Sequence, residues 1–420
     1  MLAEISREGD RWQAVLSFPE QAPIWAFERS ALQRVSETSW RPESWQVITP
    51  GVKLERIGDF DALVAQSGEL PDQVEVAFIP KATDLLADYD PALIFSNGSL
   101  ALYSGHFSAF PVASRSELET LPRPKDYPAR VTMRDVGAQV LHNGERYDNV
   151  SLSGSGQYVI FGAVDIVDAG GVTTILDPGL PLWLSQGMSE FSAVTFGYYQ
   201  SRLGDHTEDQ PLILASWRGP TPEMISFGGS VTRNMIAMQL EGIGLANPEP
   251  RAMERAQWFV GHEAAHFWLG QTVGYQNRRD MWITEGAADL MAYRLMLTRD
   301  LLPESEIYGM VAEARDDCAA LLANGGVYSA AERLEHRAHY ACGMVFALAV
   351  EQAGAPRGED GFDFFSIFME RYRGGQIGTN EWLAAAREFG LSESKENLIS
   401  SLLNEGAQDG EAAMAALLDS

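Results

Sequence analysis

The sequence predicts an α+β chain, with a β-rich N-terminal domain over residues 1–170 and a mostly helical domain carrying a small β-sheet over residues 171–420. Three observations predict it. Short alternating or apolar runs bounded by turn residues crowd the first third. Runs with apolar residues at helical spacing fill the chain after Pro303. Asp168-Ala169-Gly170-Gly171 punctuates the change between the two.

In chain order, Trp12 to Phe18, Val74 to Ile79, Ala92 to Phe95, Leu100 to Tyr103, Ala129 to Met133 and Tyr158 to Val167 read as strands. Asn97-Gly98 and Asn143-Gly144 are hairpin signals, because tight two-residue turns need the positive φ these residues adopt at least cost. Arg251 to Gln271 reads as one helix entered through Pro248 and Pro250, with Ala256, Val260, Ala264, Phe267 and Trp268 at helical spacing. A second helix starts near Thr284 and carries Ala287, Ala288, Leu290, Met291 and Leu295. Glu304 to Asn324, Ala338 to Gln352, Phe362 to Tyr372, Asn380 to Phe389 and Lys395 to Leu403 follow as helices, and the last dozen residues are expected to fray.

Composition narrows the function classes. A chain of 420 residues can bury two cores, and 45% hydrophobic with 21% charged residues describes a globular protein. The formal charge of -27 opposes nucleic-acid binding, which needs a basic footprint. No apolar run approaches the length of about eighteen residues that spans a membrane. The start, Met1-Leu2-Ala3-Glu4, shows no charged-then-apolar leader. We expect a periplasmic or secreted protein whose export signal is removed, with a cytoplasmic location as the alternative. Cys318 and Cys342 are the two cysteines: paired in an oxidising compartment, or two buried thiols.

The chemistry concentrates in Val260-Gly261-His262-Glu263-Ala264-Ala265-His266. Helical residues four apart share a face, so His262 and His266 converge on one metal ion and Glu263 projects beside it. Zinc takes about four ligands and a catalytic site reserves one position for water, so two His need one further protein ligand. Glu285, nineteen positions after His266, is the candidate. One Zn2+ per chain is therefore the expected cofactor, with Glu263 as the base that deprotonates a water.

The stretch His266-Phe267-Trp268-Leu269-Gly270-Gln271 and, after it, Trp282-Ile283-Thr284-Glu285-Gly286-Ala287-Ala288 resemble the zinc signature of the M1 aminopeptidase family of gluzincins, in which eighteen residues, here 267 to 284, separate the second His from the Glu. The resemblance implies a thermolysin-like catalytic domain and peptide or protein substrates. It also implies roles. Asp289, four positions after Glu285, would accept the free N–H of His262, and Tyr340 in His339-Tyr340-Ala341-Cys342-Gly343 would stabilise the oxyanion, with His339 and His336 as adjacent alternatives. Upstream, Gln157 to Val164 resembles the strand closing the family's first domain and Phe196 to Gly204 the helix after it. Pro211 to Ser216 is then a strand, and Val231 to Leu240 the edge strand beside the cleft.

The resemblance breaks at that edge. Where the family has Gly-x-Met-Glu-Asn, whose Glu grips the substrate amine, the chain has Ser230-Val231-Thr232-Arg233-Asn234. Arg233 as a substrate-binding residue inverts that charge and favours a carboxylate. Glu223 or Glu241 would be substitute anchors. We expect no counterpart of the family's large C-terminal helical-repeat domain, and so a more open cleft that admits longer substrates. The favoured reading is a zinc metallopeptidase; the alternatives are an aminopeptidase with a substitute amine anchor and a non-catalytic zinc-containing binding protein.

Overall fold

A computed structural model describes residues 1–418 apart from 81–84, 88, 155, 207–208, 223–224 and 302. Its N-terminal third is β-rich. Leu2–Glu8, Arg11–Ser17 and Gln73–Phe78 run antiparallel within a six-stranded sheet, and Ala3, Ile5, Ala14 and Leu16 alternate onto its buried face. A four-stranded sheet of Ala109–Val112, Ile24–Phe27, Phe60–Ala65 and Val52–Ile57 lies in the same region. The two hairpin signals sit where the sequence puts them. Asn97-Gly98 links Ala92–Ile94 to Leu100–Tyr103, and Asn143 and Gly144 both take positive φ, 50° and 81°, between Val140–His142 and Glu145–Tyr147. The strand read as Tyr158 to Val167 is shorter, ending at Phe161.

A further five-stranded sheet supports the helical part. Thr173–Leu176, Leu212–Trp217 and Met235–Glu241 are parallel, and Ser226–Thr232 closes one edge antiparallel to the last of them. The edge strand read as Val231 to Leu240 is thus two strands. The chain reverses at Arg233 and Asn234, where Asn234 takes φ 58° and its side-chain amide donates to Asp209, 2.5 Å away. Side chains alternate along Met235–Glu241: Ile236, Met238 and Leu240 join the core shared with the helices, whereas Met235 and Ala237 pack with Leu93, Tyr103 and Tyr158 of the β-rich region.

The helices after Pro303 match the sequence pattern closely, as Glu304–Leu322, Arg337–Gly354, Gly361–Tyr372, Thr379–Glu388 and Glu393–Asn404. Residues 410–418 do not fray as expected. Gly410–Leu418 is a helix that buries Met414 and Leu417, and Gly410 lies against Ala319 where a Cβ would meet its carbonyl oxygen at 2.0 Å. Among the described residues no helix is long and apolar enough to cross a membrane. Cys318 and Cys342, both fully buried, form a disulfide between two of the helices.

Candidate metal centre

The first histidine helix is Pro250–Ala265, with Pro250 in its opening turn where a missing N–H costs nothing. It ends earlier than its apolar spacing suggested. His266 is the C-cap, still in helical conformation at φ -67° and ψ -12°, and the chain then turns through Gly270 at φ 142°. Phe267, Trp268 and Leu269, which follow His266, are each 0% exposed. The turn anchors itself with Trp268 Nε1 donating to the Gly204 carbonyl at 2.8 Å and the Gln271 amide donating to the His266 carbonyl at 3.0 Å. Because His266 keeps helical backbone, its ring still falls beside that of His262.

Glu285 arrives on Trp282–Thr298, which begins two residues before the expected Thr284. Two glycine contacts set its place. Gly261 faces Ala292, whose Cβ lies 3.1 Å from where a Gly261 Cβ would be, so this helix packs close to the histidine helix. Gly286 faces Gly343 on Arg337–Gly354 even more tightly, which draws Tyr340 towards Glu285. Neither contact tolerates a larger side chain without movement.

The three donor groups meet. His262 Nε2 and His266 Nε2 are 3.3 Å apart, and Glu285 Oε2 lies 3.3 Å from the first and 3.4 Å from the second. A point equidistant from three such atoms is about 1.9 Å from each in their plane. A small rise out of that plane gives zinc–ligand distances of about 2.0–2.1 Å with angles of about 107°, close to tetrahedral. The donor set therefore fits zinc, and it is the only such group of His, Cys, Asp or Glu among the described residues. Asp289, 2% exposed, accepts from His262 Nδ1 at 2.8 Å, which fixes the tautomer that presents Nε2 to a metal. His266 Nδ1 donates to the Leu269 carbonyl at 3.2 Å, to the same effect.

The charges follow from this crowding. Burial opposes a proton on His262, but the carboxylates of Asp289 and Glu285 outweigh it and raise its proton affinity above that of an ordinary imidazole. Glu285 moves the opposite way: burial disfavours its charge, yet the two imidazoles hold it well below the usual carboxylate range. Glu263, 8% exposed, is raised by burial in spite of both histidines. Tyr340 stacks on His262 with ring centroids 5.8 Å apart, and burial, then the charges of Glu285 and Glu263, push its phenol up so that it stays a neutral donor.

The remaining site expectations fare differently. His339 is 1% exposed with neither ring nitrogen hydrogen-bonded, and His336 is exposed at the start of the helix; neither stacks on His262 as Tyr340 does. Arg233 is exposed in the two-residue turn, at the end of the edge strand and not along it, because Asn234 reverses the chain there. Arg233 thus lies in the turn between two strands, where the sequence reading had one continuous edge strand. Glu241, one of the expected substitute anchors, is engaged by another side chain. It pairs with Arg218 at 3.0 Å, and strand alternation turns it to the sheet face away from the helices. Glu223 lies outside the described residues. Sequence reasoning missed Trp258, whose ring lies 5.5 Å from that of His262, although its place four residues before His262 was the available signal.

No model of a known protein family matches the chain, and no curated protein sequence matches it. Solved structures do. An aminopeptidase N family protein from Idiomarina loihiensis shares the fold with a TM-score of 0.63 at 11% identity, over 97% of this chain and 76% of that one. Leukotriene A4 hydrolase from Saccharomyces cerevisiae does so with a TM-score of 0.53 at 12% identity, over 97% and 67%. The β-rich region followed by a helical part thus has the M1 aminopeptidase-like fold that the signature resembles.

Proposed function

We propose that the chain is a zinc-dependent metallopeptidase that hydrolyses peptide bonds with a water as nucleophile. One observation carries this reading: three donor atoms form a triangle of zinc-binding size beside a carboxylate, Glu263, that the triangle does not use. A structural zinc site has no use for an unligated glutamate or an open position. Zinc bound there would lower the pKa of a water towards neutrality and polarise a carbonyl.

The chain's own residues do the rest. Glu263, its carboxyl raised by burial, is suited to take the proton of the attacking water and return it to the leaving amine, a contribution of about a hundred- to ten-thousand-fold. Tyr340, still protonated and one ring away from His262, donates to the carbonyl oxygen as negative charge develops on it. Asp289 keeps His262 in the tautomer that can bind metal. The positions of Arg233 and Glu241 support no dedicated grip on a free amino terminus, so substrates are defined here by the bond broken. The division into two domains near residue 170 and an exported location belong to the same proposal, and the Cys318–Cys342 disulfide supports the second.

The test is a mixed peptide pool incubated with the protein, with and without a zinc chelator, and read by mass spectrometry for which bonds and ends change. Chelator-sensitive peptide cleavage is expected. A zinc-loaded protein that leaves every peptide intact would overturn the proposal.

A further inference from the structure

We infer that Arg337 is a positioning residue of the metal site, acting through Asp289 on His262; this rests on the reading of His262, His266 and Glu285 as metal ligands. The connection is continuous. Asp289 Oδ1 accepts from His262 Nδ1 at 2.8 Å, its other oxygen faces Arg337 Nη1 at 3.9 Å, and Arg337 Nε donates to Asp317 Oδ2 at 2.8 Å. Three helices contribute: Asp289 from Trp282–Thr298, Asp317 from Glu304–Leu322 and Arg337 from the first position of Arg337–Gly354.

Two features argue that this arrangement serves the site and not only the fold. A cation in the first turn of a helix opposes the helix dipole, which favours anions there, and this turn has no acidic residue to offset it. Helix stability alone therefore disfavours Arg337. The second feature is redundancy. Arg337 and Asp317 are 44% and 39% exposed, and such a pair adds little stability. The residue after Asp317 is Cys318, already bonded to Cys342 on the helix of Arg337, so these helices are joined without the ion pair. What the ion pair does fix is the direction of the guanidinium.

That direction matters because the Asp289 side chain is only 3% exposed. A buried carboxylate is costly unless cations and donors compensate it, and the His262 N–H satisfies one oxygen only. Arg337 supplies the charge that faces the other. With both sides engaged, the carboxylate holds its plane and His262 holds the ring orientation that aims Nε2 at the metal.

The test measures zinc affinity by competition with a chromophoric chelator for the full chain and for Arg337→Gln, Arg337→Lys and Asp317→Asn, alongside melting of the metal-free proteins. Partners that touch a ligand directly change affinity by about 10- to 100-fold. Arg337→Gln, one step further out, is expected to weaken zinc binding about tenfold, with Arg337→Lys recovering part of the loss. A loss below threefold in Arg337→Gln, or a fall in metal-free melting without a fall in affinity, overturns the inference. If Arg337→Gln does not fold, Asp317→Asn decides by the same threefold criterion. A His262→Ala control separates the two levels: if it binds zinc as the parent chain does, the ligand assignment fails and this inference with it. If only Arg337→Gln is silent, the ligand assignment stands and the inference alone fails.

Discussion

Gly286→Ala is predicted to damage both stability and chemistry, although alanine is the better helix former. An alanine Cβ at 286 would lie 2.0 Å from the Gly343 carbonyl carbon, 2.2 Å from the Met344 nitrogen and 2.4 Å from Gly343 Cα. Ordinary contact begins near 3.4 Å, so the two helices must part by about 1.4 Å. Backbone atoms cannot rotate away as a side chain can. Helix propensity returns about 1 kcal/mol for Gly to Ala, whereas overpacking of a close-packed interface costs about 1–3 kcal/mol and sometimes more, so the clash wins. Glu285 precedes the affected residue and Tyr340 lies one turn before Gly343. Moving them apart by about an ångström is enough to cost about a hundredfold in turnover. The assay is thermal unfolding together with peptide hydrolysis. Gly187→Ala and Gly197→Ala, in the helix Leu182–Leu203, are the controls, since nothing beyond the local helix backbone lies within 4 Å of either added Cβ. These should stabilise by about 0.5–1 kcal/mol each. A Gly286→Ala protein that melts at or above the parent temperature and keeps its activity would refute the account of the helix crossing.

Tyr340→Phe should bind zinc normally and lose about 10²- to 10³-fold in kcat, the usual cost of one oxyanion donor; unchanged kcat would remove Tyr340 from the mechanism. His106, fully buried in the β-rich region, is held down to about 3 by burial and then by the charge of Arg41, against 6.5 when exposed. A depressed imidazole binds its proton in the unfolded chain first, so its contribution is complete above pH 6.5 and is lost as pH falls towards 3, up to about 5 kcal/mol. Stability curves of the parent and His106→Gln should therefore converge on acidification, and parallel curves would contradict the burial argument. Cys318→Ser with Cys342→Ser should cost about 3 kcal/mol, from loop closure across a separation of 24 residues, and reduction of the parent should add the mass of two hydrogens. No mass change would exclude the bond.

Much of the site was legible because its information is local. His262 and His266 sit one turn apart, so any helix through them juxtaposes their rings, and it made no difference that the helix stops at Ala265. Asn143-Gly144 was legible for the same reason, since its turn is determined by two residues. What escaped depends on partners distant in sequence. The early helix end follows from where Trp268 finds the Gly204 carbonyl, and nothing between 251 and 271 encodes that. The hairpin at Arg233 and Asn234 interrupts a run of strand-forming residues through one positive φ, and an ungapped reading passed over it. Glu241 looked available until strand alternation and Arg218 were considered. The Gly286–Gly343 crossing joins residues 57 positions apart; both stood in motifs singled out for chemistry, but neither motif tells that the two meet.

The most direct test of the central claim compares the parent chain with Glu263→Gln for bound zinc and for peptide hydrolysis under the same conditions. The variant keeps the shape of the side chain and every metal ligand, and removes only the base. One zinc in each protein is expected, with hydrolysis in the parent and a loss of about 10²- to 10⁴-fold in the variant. Hydrolysis by Glu263→Gln at the parent rate, or a parent chain that takes up no zinc, would contradict the account.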